Sequence, residues 1–438
     1  MRRRWSAVGV LIAALLGGVW PFVSVAQPAP RRPVPTVSHN IPIDVDVPFA
    51  NPEDNLPFFD DFSWREFIAL TWPARLGARG PYPRGSPDID RKYGDVSVPT
   101  VWETWKADFE LFLPGGAAPA DWRSFASPSP CDARTSLVPY QKVLGSFDAF
   151  HGFNQAFAGP LVSQNRQYVR YETRVNRAGY QFILEPGGAH PGPLYLAANL
   201  PGNGTPHSAL RFPSGSVLVK ASWRVMTGVP EAQRKHYYVT RANLLDPLTG
   251  RCSVTDVGLI GLHIVNKPPS FPRWIWSSFE HVDNVPDSEG GSGRGAFPFA
   301  LNDNAPATPP SPRGEPISRC NPPQRDPAPT QVVRKRPLAA STRLTNHAYH
   351  QAEGVKGTVW ENYQLVMTQW PLGDGTSAFP SLSQPQTNTA NVSLETWFQD
   401  SSDSSCMACH GRANQRQYDF VWFLPLGAHP RKPVPCSR

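Results

Sequence analysis

Residues 256–266 read Asp256-Val257-Gly258-Leu259-Ile260-Gly261-Leu262-His263-Ile264-Val265-Asn266. Aliphatic and β-branched side chains fill the run and no polar residue recurs at helical spacing, so it reads as a buried strand. Alternation places His263 on the face that also carries Leu259 and Val265. Runs at 167–175, 216–226 and 236–244 have the same character, being rich in Tyr, Val, Ile and Trp and separated by turns that hold Pro and Gly. Successive strands of this kind predict one antiparallel sheet system in the middle of the chain. No fixed-period repeat runs through it, which argues against a propeller or a solenoid.

Helices are expected outside that sheet. In 60–72 the residues Phe62, Phe67, Ile68, Ala69 and Trp72 gather at helical spacing, and Pro73 ends the run. A second amphipathic helix is expected over 101–112, where Trp102, Trp105, Phe109 and Phe112 stand three or four apart before Pro114. Both aromatic stripes read as core packing, and Asp60, Asp61, Arg65 and Glu66 as solvated charge. A helical stretch at 340–353 and a strand-like aromatic run at 358–370 follow. Between 286 and 337 the composition turns to Gly, Ser, Pro and charge, which predicts a long loop that Cys320 can tie down. The fold class expected is α+β, predominantly antiparallel β with peripheral helices and a C-terminal helical segment, in a single domain over 56–438.

At the other end, Met1-Arg2-Arg3-Arg4 precedes an apolar run from Ala7 to Trp20, with small residues at Ser24 and Ala26. That is the pattern of a cleaved signal peptide over 1–26, and the apolar run is shorter than the roughly 20 residues a membrane-spanning helix needs. A Pro-rich extended arm, 27–55, leads into the fold. No later stretch reaches membrane-spanning length, so the mature chain is expected to be periplasmic with no membrane span. Removing Arg2, Arg3 and Arg4 takes the formal charge from +7 to +4, too modest on 438 residues to imply nucleic-acid binding.

The chemistry is concentrated near the end, in Ser405-Cys406-Met407-Ala408-Cys409-His410-Gly411. Two thiols three positions apart lie on one helical turn, and the next residue offers an imidazole. A zinc site would want a second ligand pair, and no other CxxC or HxxxH occurs. A thioredoxin-like dithiol would want its CxxC at the start of a helix in a βαβ unit, which the order of elements here does not supply. Six cysteines are present, so Cys131, Cys252, Cys320 and Cys436 remain outside the motif. An exported chain can pair them in up to two disulfides with three connectivities, or hold one disulfide and two buried thiols.

Cys406-x-x-Cys409-His410 resembles the haem-attachment motif of c-type cytochromes. The stretches Phe62-Ser63-Trp64-Arg65-Glu66-Phe67, Trp274-Ile275-Trp276-Ser277-Ser278-Phe279-Glu280-His281 and Phe420-Val421-Trp422 extend the likeness to large bacterial periplasmic proteins with a single C-terminal CxxCH. The resemblance implies one covalently attached haem c, thioethers at Cys406 and Cys409, His410 as the proximal iron ligand, and a haem-attachment segment over 391–413. That segment is expected to open with a short helix from Asn391, with Leu394, Trp397 and Phe398 on one side. No Met follows Met407, so a sixth ligand must come from upstream, from His429 in the tail, or from nowhere. Candidates are His281, beside Trp274 and Trp276; Met367, a soft thioether; His263 on its buried strand; and His347 or His350.

Two readings follow. One is a periplasmic monohaem cytochrome acting in electron transfer with a redox partner protein. The other is a haem-dependent enzyme, a peroxidase or an oxygenase, in which an open or displaceable distal site meets a small-molecule substrate. The length of the chain beyond a haem shell favours the second; the lack of an assembled acid–base group in the sequence favours the first.

Overall fold

The run 256–266 forms all but the first four residues of one long strand, Cys252–Asn266, and the main sheet is assembled along it. The computed structural model describes residues 32–50, 52–77, 80–81, 84–124, 131, 143–144, 150–155, 157–188, 190–202, 209–286, 298–303, 314–371, 390–399, 405–430 and 436. The expected leader, 1–26, lies outside the described residues. In chain order the strands are β1 (Leu76–Gly77), β2 (Gly80–Pro81), β3 (Lys106–Ala107), β4 (Val143–Leu144), β5 (Arg170–Val175), β6 (Val217–Val225), β7 (Val239–Leu245), β8 (Cys252–Asn266), β9 (Ile275–His281) and β10 (Tyr363–Gln369). The helices are α1 (Leu56–Thr71), α2 (Asp108–Leu111), α3 (Arg177–Leu184), α4 (Glu231–Arg234), α5 (Ala340–Gln351), α6 (Cys406–Gln415) and α7 (Phe423–Gly427).

Among the described residues, eight strands form one sheet in the order β10-β9-β8-β6-β5-β3, with β7 on β8 and β4 on β7. All pairings are antiparallel except the short β4 on β7. The length of β8 lets it serve two partners end to end on one edge, β7 along 252–258 and β9 along 261–266, while β6 holds the other edge. The fold is α+β, as expected, with the expected antiparallel sheet at its centre. No helix among the described residues is long and apolar enough to cross a membrane.

Directly opposed residues share a face, so the register defines two sides. One side carries Ser277 and Phe279 of β9, Leu262 and Ile264 of β8, and Val219 and Ala221 of β6. It is covered by α1 and α5. Trp64 of α1 stacks on Tyr349 of α5 at 5.0 Å, meets Phe279 edge-on at 5.2 Å, and donates its indole N–H to Asn346 Oδ1. Phe59, Trp64, Phe67 and Ile68 are fully buried, each stabilising by about 1.5–3 kcal/mol. The opposite side carries the row Lys220, His263, Ser278 and Met367, flanked by Leu218, Val265 and Trp276 below and Ser222, Gly261 and Glu280 above.

Several local expectations are corrected. The helix expected over 101–112 is broken into a 3-10 turn (Trp102–Thr104), the short β3 and the single-turn α2, because Lys106 and Ala107 pair with β5. Its aromatic residues are nonetheless core, as expected. The charge on α1 is not solvated. Asp60 accepts from Thr342 and Thr368 hydroxyls, Asp61 from Tyr349, and Glu66 is wholly buried, so only Arg65 keeps an exposed head. His263 shares its face with Val265 but not with Leu259. The register shifts where Ser222 faces Gly261 and Trp223 faces Leu259, so the extra residue Ile260 reverses the alternation, as a β-bulge does. Parts of the long loop are packed: Ala300 and Val332 are fully buried, and Val332 N–H donates to Leu301 O.

Two disulfides occur among the described residues, Cys131–Cys252 and Cys320–Cys436, which settles the connectivity the spacing left open. The second ties the loop to the C-terminal tail.

Candidate functional site

The segment that opens the expected haem-attachment stretch is not the expected helix. Residues 391–395 form a turn followed by a 3-10 turn, Thr396–Phe398, because Asn391 and Ser393 bind the sheet and each other instead of a helical backbone. Asn391 Nδ2 donates to Ser278 Oγ and Phe279 O at 3.1 and 2.8 Å, Ser393 Oγ meets Ser222 Oγ at 2.8 Å, and Tyr171 donates its hydroxyl to Ser393 O. Gln155 clasps Thr396 from both sides. Gly261 leaves the room for this contact, since a Cβ there would overlap Ser393 Oγ and stand 2.6 Å from Ser222 Oγ.

The turn delivers Glu395 to the row below. Glu395 accepts the Asn391 N–H on Oε2 at 2.8 Å and receives the His263 Nε2–H on Oε1. Lys220 sits opposite His263 on β6. Burial opposes ionisation of Glu395, but His263, the Asn391 N–H and Lys220 together hold its carboxyl below the usual range. Burial lowers the Lys220 ammonium, against the pull of Glu395 and Cys409.

Next to this group lies α6. Ser405 starts it, its hydroxyl accepting the Ala408 N–H at 3.1 Å, so Cys406, Cys409 and His410 fall on its first turns and on one face. Cys406 and Cys409 are in no disulfide. Burial first, then Glu395 and Cys409, push the Cys406 thiol well above its usual range. Burial brings the His410 imidazole down to about 4, so it is neutral at pH 7. Its Nδ1–H donates to Phe420 O at 2.6 Å, and its ring lies 4.3 Å from that of Trp276.

Three other histidines differ from His410 in the nitrogen they turn to a carbonyl. His281, His350 and His429 each donate Nε2–H to a main-chain carbonyl, of His236, Tyr363 and Phe112. His410 engages Nδ1, which turns Nε2 outward from the hydrogen bond. His281 is also closed on its second nitrogen, which accepts the Asp283 N–H at 3.1 Å, and its ring stacks on Tyr237 at 3.9 Å. It stands five residues along β9 from Trp276, about 16 Å at a rise of roughly 3.3 Å per residue. The structure therefore brings Trp276 to His410 but leaves His281 at the far end of the strand. Met367, fully buried in β10, lies two strands over in the same cross-strand row as His263. His347 is exposed on α5, and α1 with its carboxylates lies on the other side of the sheet from this row.

Two residues of this cluster, Glu395 and Lys220, and the contact of Trp276 with His410 escape the sequence reading. Lys220 left a trace, since a lysine stands within a strand of mostly apolar residues and a buried charge needs a partner. Glu395 left none, because the side chains that face it, His263 and Lys220, come from strands more than a hundred residues away.

The donor set fits a covalently attached haem. Two cysteines outside the disulfides occupy one helical face, and a neutral imidazole beside them has its Nδ1–H satisfied by a carbonyl, the arrangement that orients a metal-binding histidine. Comparison with protein-family models, with curated proteins and with solved structures gives no match.

Proposed function

We propose that this chain is a periplasmic monohaem c-type cytochrome, with haem c held by thioethers at Cys406 and Cys409 and by His410 Nε2 on the iron, and that it acts in electron transfer with a redox partner protein. The observation that carries this reading is the hydrogen bond from His410 Nδ1 to Phe420 O, made from the same helical face as the two thiols. The haem supplies a one-electron couple at its iron. The protein's part is orientation and exclusion of water. Phe420 O fixes the imidazole tautomer and increases its donor strength, Trp276 packs over the ring, and Met407 and Ala413 anchor α6 in the core. The two disulfides suit an oxidising compartment, and periplasmic localisation with a cleaved leader rests on that and on the N-terminal pattern.

The test is expression with and without a c-type haem-attachment machinery. With it, the protein should keep its haem through denaturing electrophoresis, and replacing Cys406 and Cys409 together by Ala should abolish that. Covalent haem retained in the double variant, or none in the wild type, overturns the reading.

One observation favours the second reading, a haem-dependent enzyme with an open or displaceable distal site. Lys220, His263 and Glu395 form an acid–base group within electrostatic reach of Cys406, Cys409 and His410, and simple electron transfer does not require such a group. Carbon monoxide binding to the reduced holoprotein separates the two, since a carrier with two strong axial ligands excludes it.

A further inference from the structure

The carbonyl that faces His410 is held by a turn that sequence chemistry does not favour. Gln417, Asp419 and Phe420 have φ of 66°, 50° and 67°, the left-handed region, and none is glycine. Left-handed backbone is strained for a residue that carries a side chain, and strain of this kind persists only where its surroundings over-determine it.

The surroundings here converge on Asp419. Its carboxylate is 1% exposed and accepts Lys267 Nζ at 2.6 Å and Phe212 N–H at 2.8 Å, with Arg211 at 4.0 Å. Its own carbonyl accepts the Trp274 indole N–H at 3.0 Å, and Trp274 also has a left-handed φ, 70°. Lys267 follows directly on β8 and is itself fixed, its N–H donating to Ser216 O and its carbonyl accepting Gly215 N–H. The ion pair thus links the end of the central strand to the turn, one residue before the carbonyl that takes the His410 proton.

We infer that the buried Lys267–Asp419 pair is a positioning device for His410: it holds the strained turn so that Phe420 O takes the Nδ1 proton, and thereby sets the donor strength of Nε2. This rests on the haem reading. A strong hydrogen bond from Nδ1–H makes the imidazole a better donor and favours the oxidised metal, so a relaxed turn should raise the reduction potential.

The experiment uses the holoprotein and three variants. Asp419→Asn keeps the side-chain shape and removes the charge; Lys267→Gln leaves the carboxylate its Phe212 N–H and is the milder change. Glu110→Gln breaks a comparably buried pair with Arg84 and is the control. Midpoint potential and exchange of the His410 ring N–H are measured on each. Both Lys267→Gln and Asp419→Asn should shift the potential upward and speed the exchange, Asp419→Asn more, while Glu110→Gln costs stability and moves neither. If Asp419→Asn does not fold, Lys267→Gln alone decides. An unchanged potential and exchange in folded, haem-loaded Lys267→Gln, or an equal shift in Glu110→Gln, overturns the inference and leaves the haem reading intact. Wild type without covalent haem would overturn both.

Discussion

Gly261 lies directly beneath Ser393, so close that a Cβ at 261 would overlap the Ser393 hydroxyl. That contact lets a polar turn sit on the sheet where a side chain would otherwise stand, and it sets Glu395 over His263. Gly261→Ala must displace either the turn or β6, since the second obstacle is Ser222 Oγ at 2.6 Å. We expect a loss of about 1–3 kcal/mol, the usual cost of overpacking, read as a lower denaturation midpoint. Gly261→Ala combined with Ser393→Gly should recover part of it. A single variant as stable as wild type would mean that the turn is not seated on the sheet.

The pH dependence of stability follows from Glu66 and His281. Burial pushes the Glu66 carboxyl from 4.5 up to about 8; it makes no well-formed hydrogen bond, and Asn266 is the polar group that approaches it. The folded state then holds a proton that the unfolded chain releases above about pH 4.5, so stability falls as pH rises from there to about 8. Burial pushes His281 the other way, down to about 4, so the folded state lacks a proton that the unfolded chain binds below its ordinary 6.5, and stability falls as pH drops from 6.5 to 4. The two slopes oppose each other between 4.5 and 6.5. His410, also brought down to about 4 by burial, adds to the His281 slope. Of these three groups only Glu66 acts above 6.5, at about 1.4 kcal/mol per pH unit at most. Thermal midpoints should therefore decline from pH 6.5 to 8, and Glu66→Gln should flatten that limb. A wild-type midpoint flat over this range would show Glu66 to be ionised in the fold.

Thiol counting tests the division of the six cysteines. Under denaturing, non-reducing conditions the haem-free protein should react with an alkylating reagent at Cys406 and Cys409 alone, and the haem-loaded protein at none. Reduction should add Cys131, Cys252, Cys320 and Cys436 in both. Labelling of any of those four before reduction would contradict the pairing.

Local physics made much of the fold legible in the sequence. The runs at 216–226 and 256–266 lie mostly in β6 and β8, and all of 60–72 but Trp72 lies within α1, because period and composition agree there with the surroundings. Reading failed where tertiary contacts overrode local preference. The aromatic spacing of 101–112 is helical, yet its backbone is recruited by β5. The acidic residues of α1 look like a solvated face, yet hydroxyls from α5 and β10 make the burial of Asp60 and Asp61 tolerable. At the site, Cys406, Cys409 and His410 are adjacent in sequence and announce themselves. Lys220 and Trp276 join them only through strand register and Glu395 through the turn seated on Gly261, and a one-residue bulge at Ile260 decides which of their neighbours share the face.

The last prediction concerns the distal side of the iron. His281 has both ring nitrogens engaged within the protein and lies at the far end of β9 from Trp276, so it is badly placed to reach a metal held by His410. His281→Ala should leave the visible spectrum and spin state of the holoprotein unchanged. It should still cost stability, about 2–4 kcal/mol, because it removes a buried ring with two hydrogen bonds and its stack on Tyr237. His263 and Met367 stand in one cross-strand row on the side of the sheet that carries Trp276, and His263 is within electrostatic reach of His410. If the protein is an electron carrier, its low-spin spectrum should be lost in His263→Ala or in Met367→Ala, with carbon monoxide binding appearing on reduction. Loss of the low-spin state in His281→Ala would contradict the site geometry. A wild type that is already high-spin would leave Lys220, His263 and Glu395 as acid–base groups beside an open coordination position, and the enzyme reading would then stand ahead of the carrier.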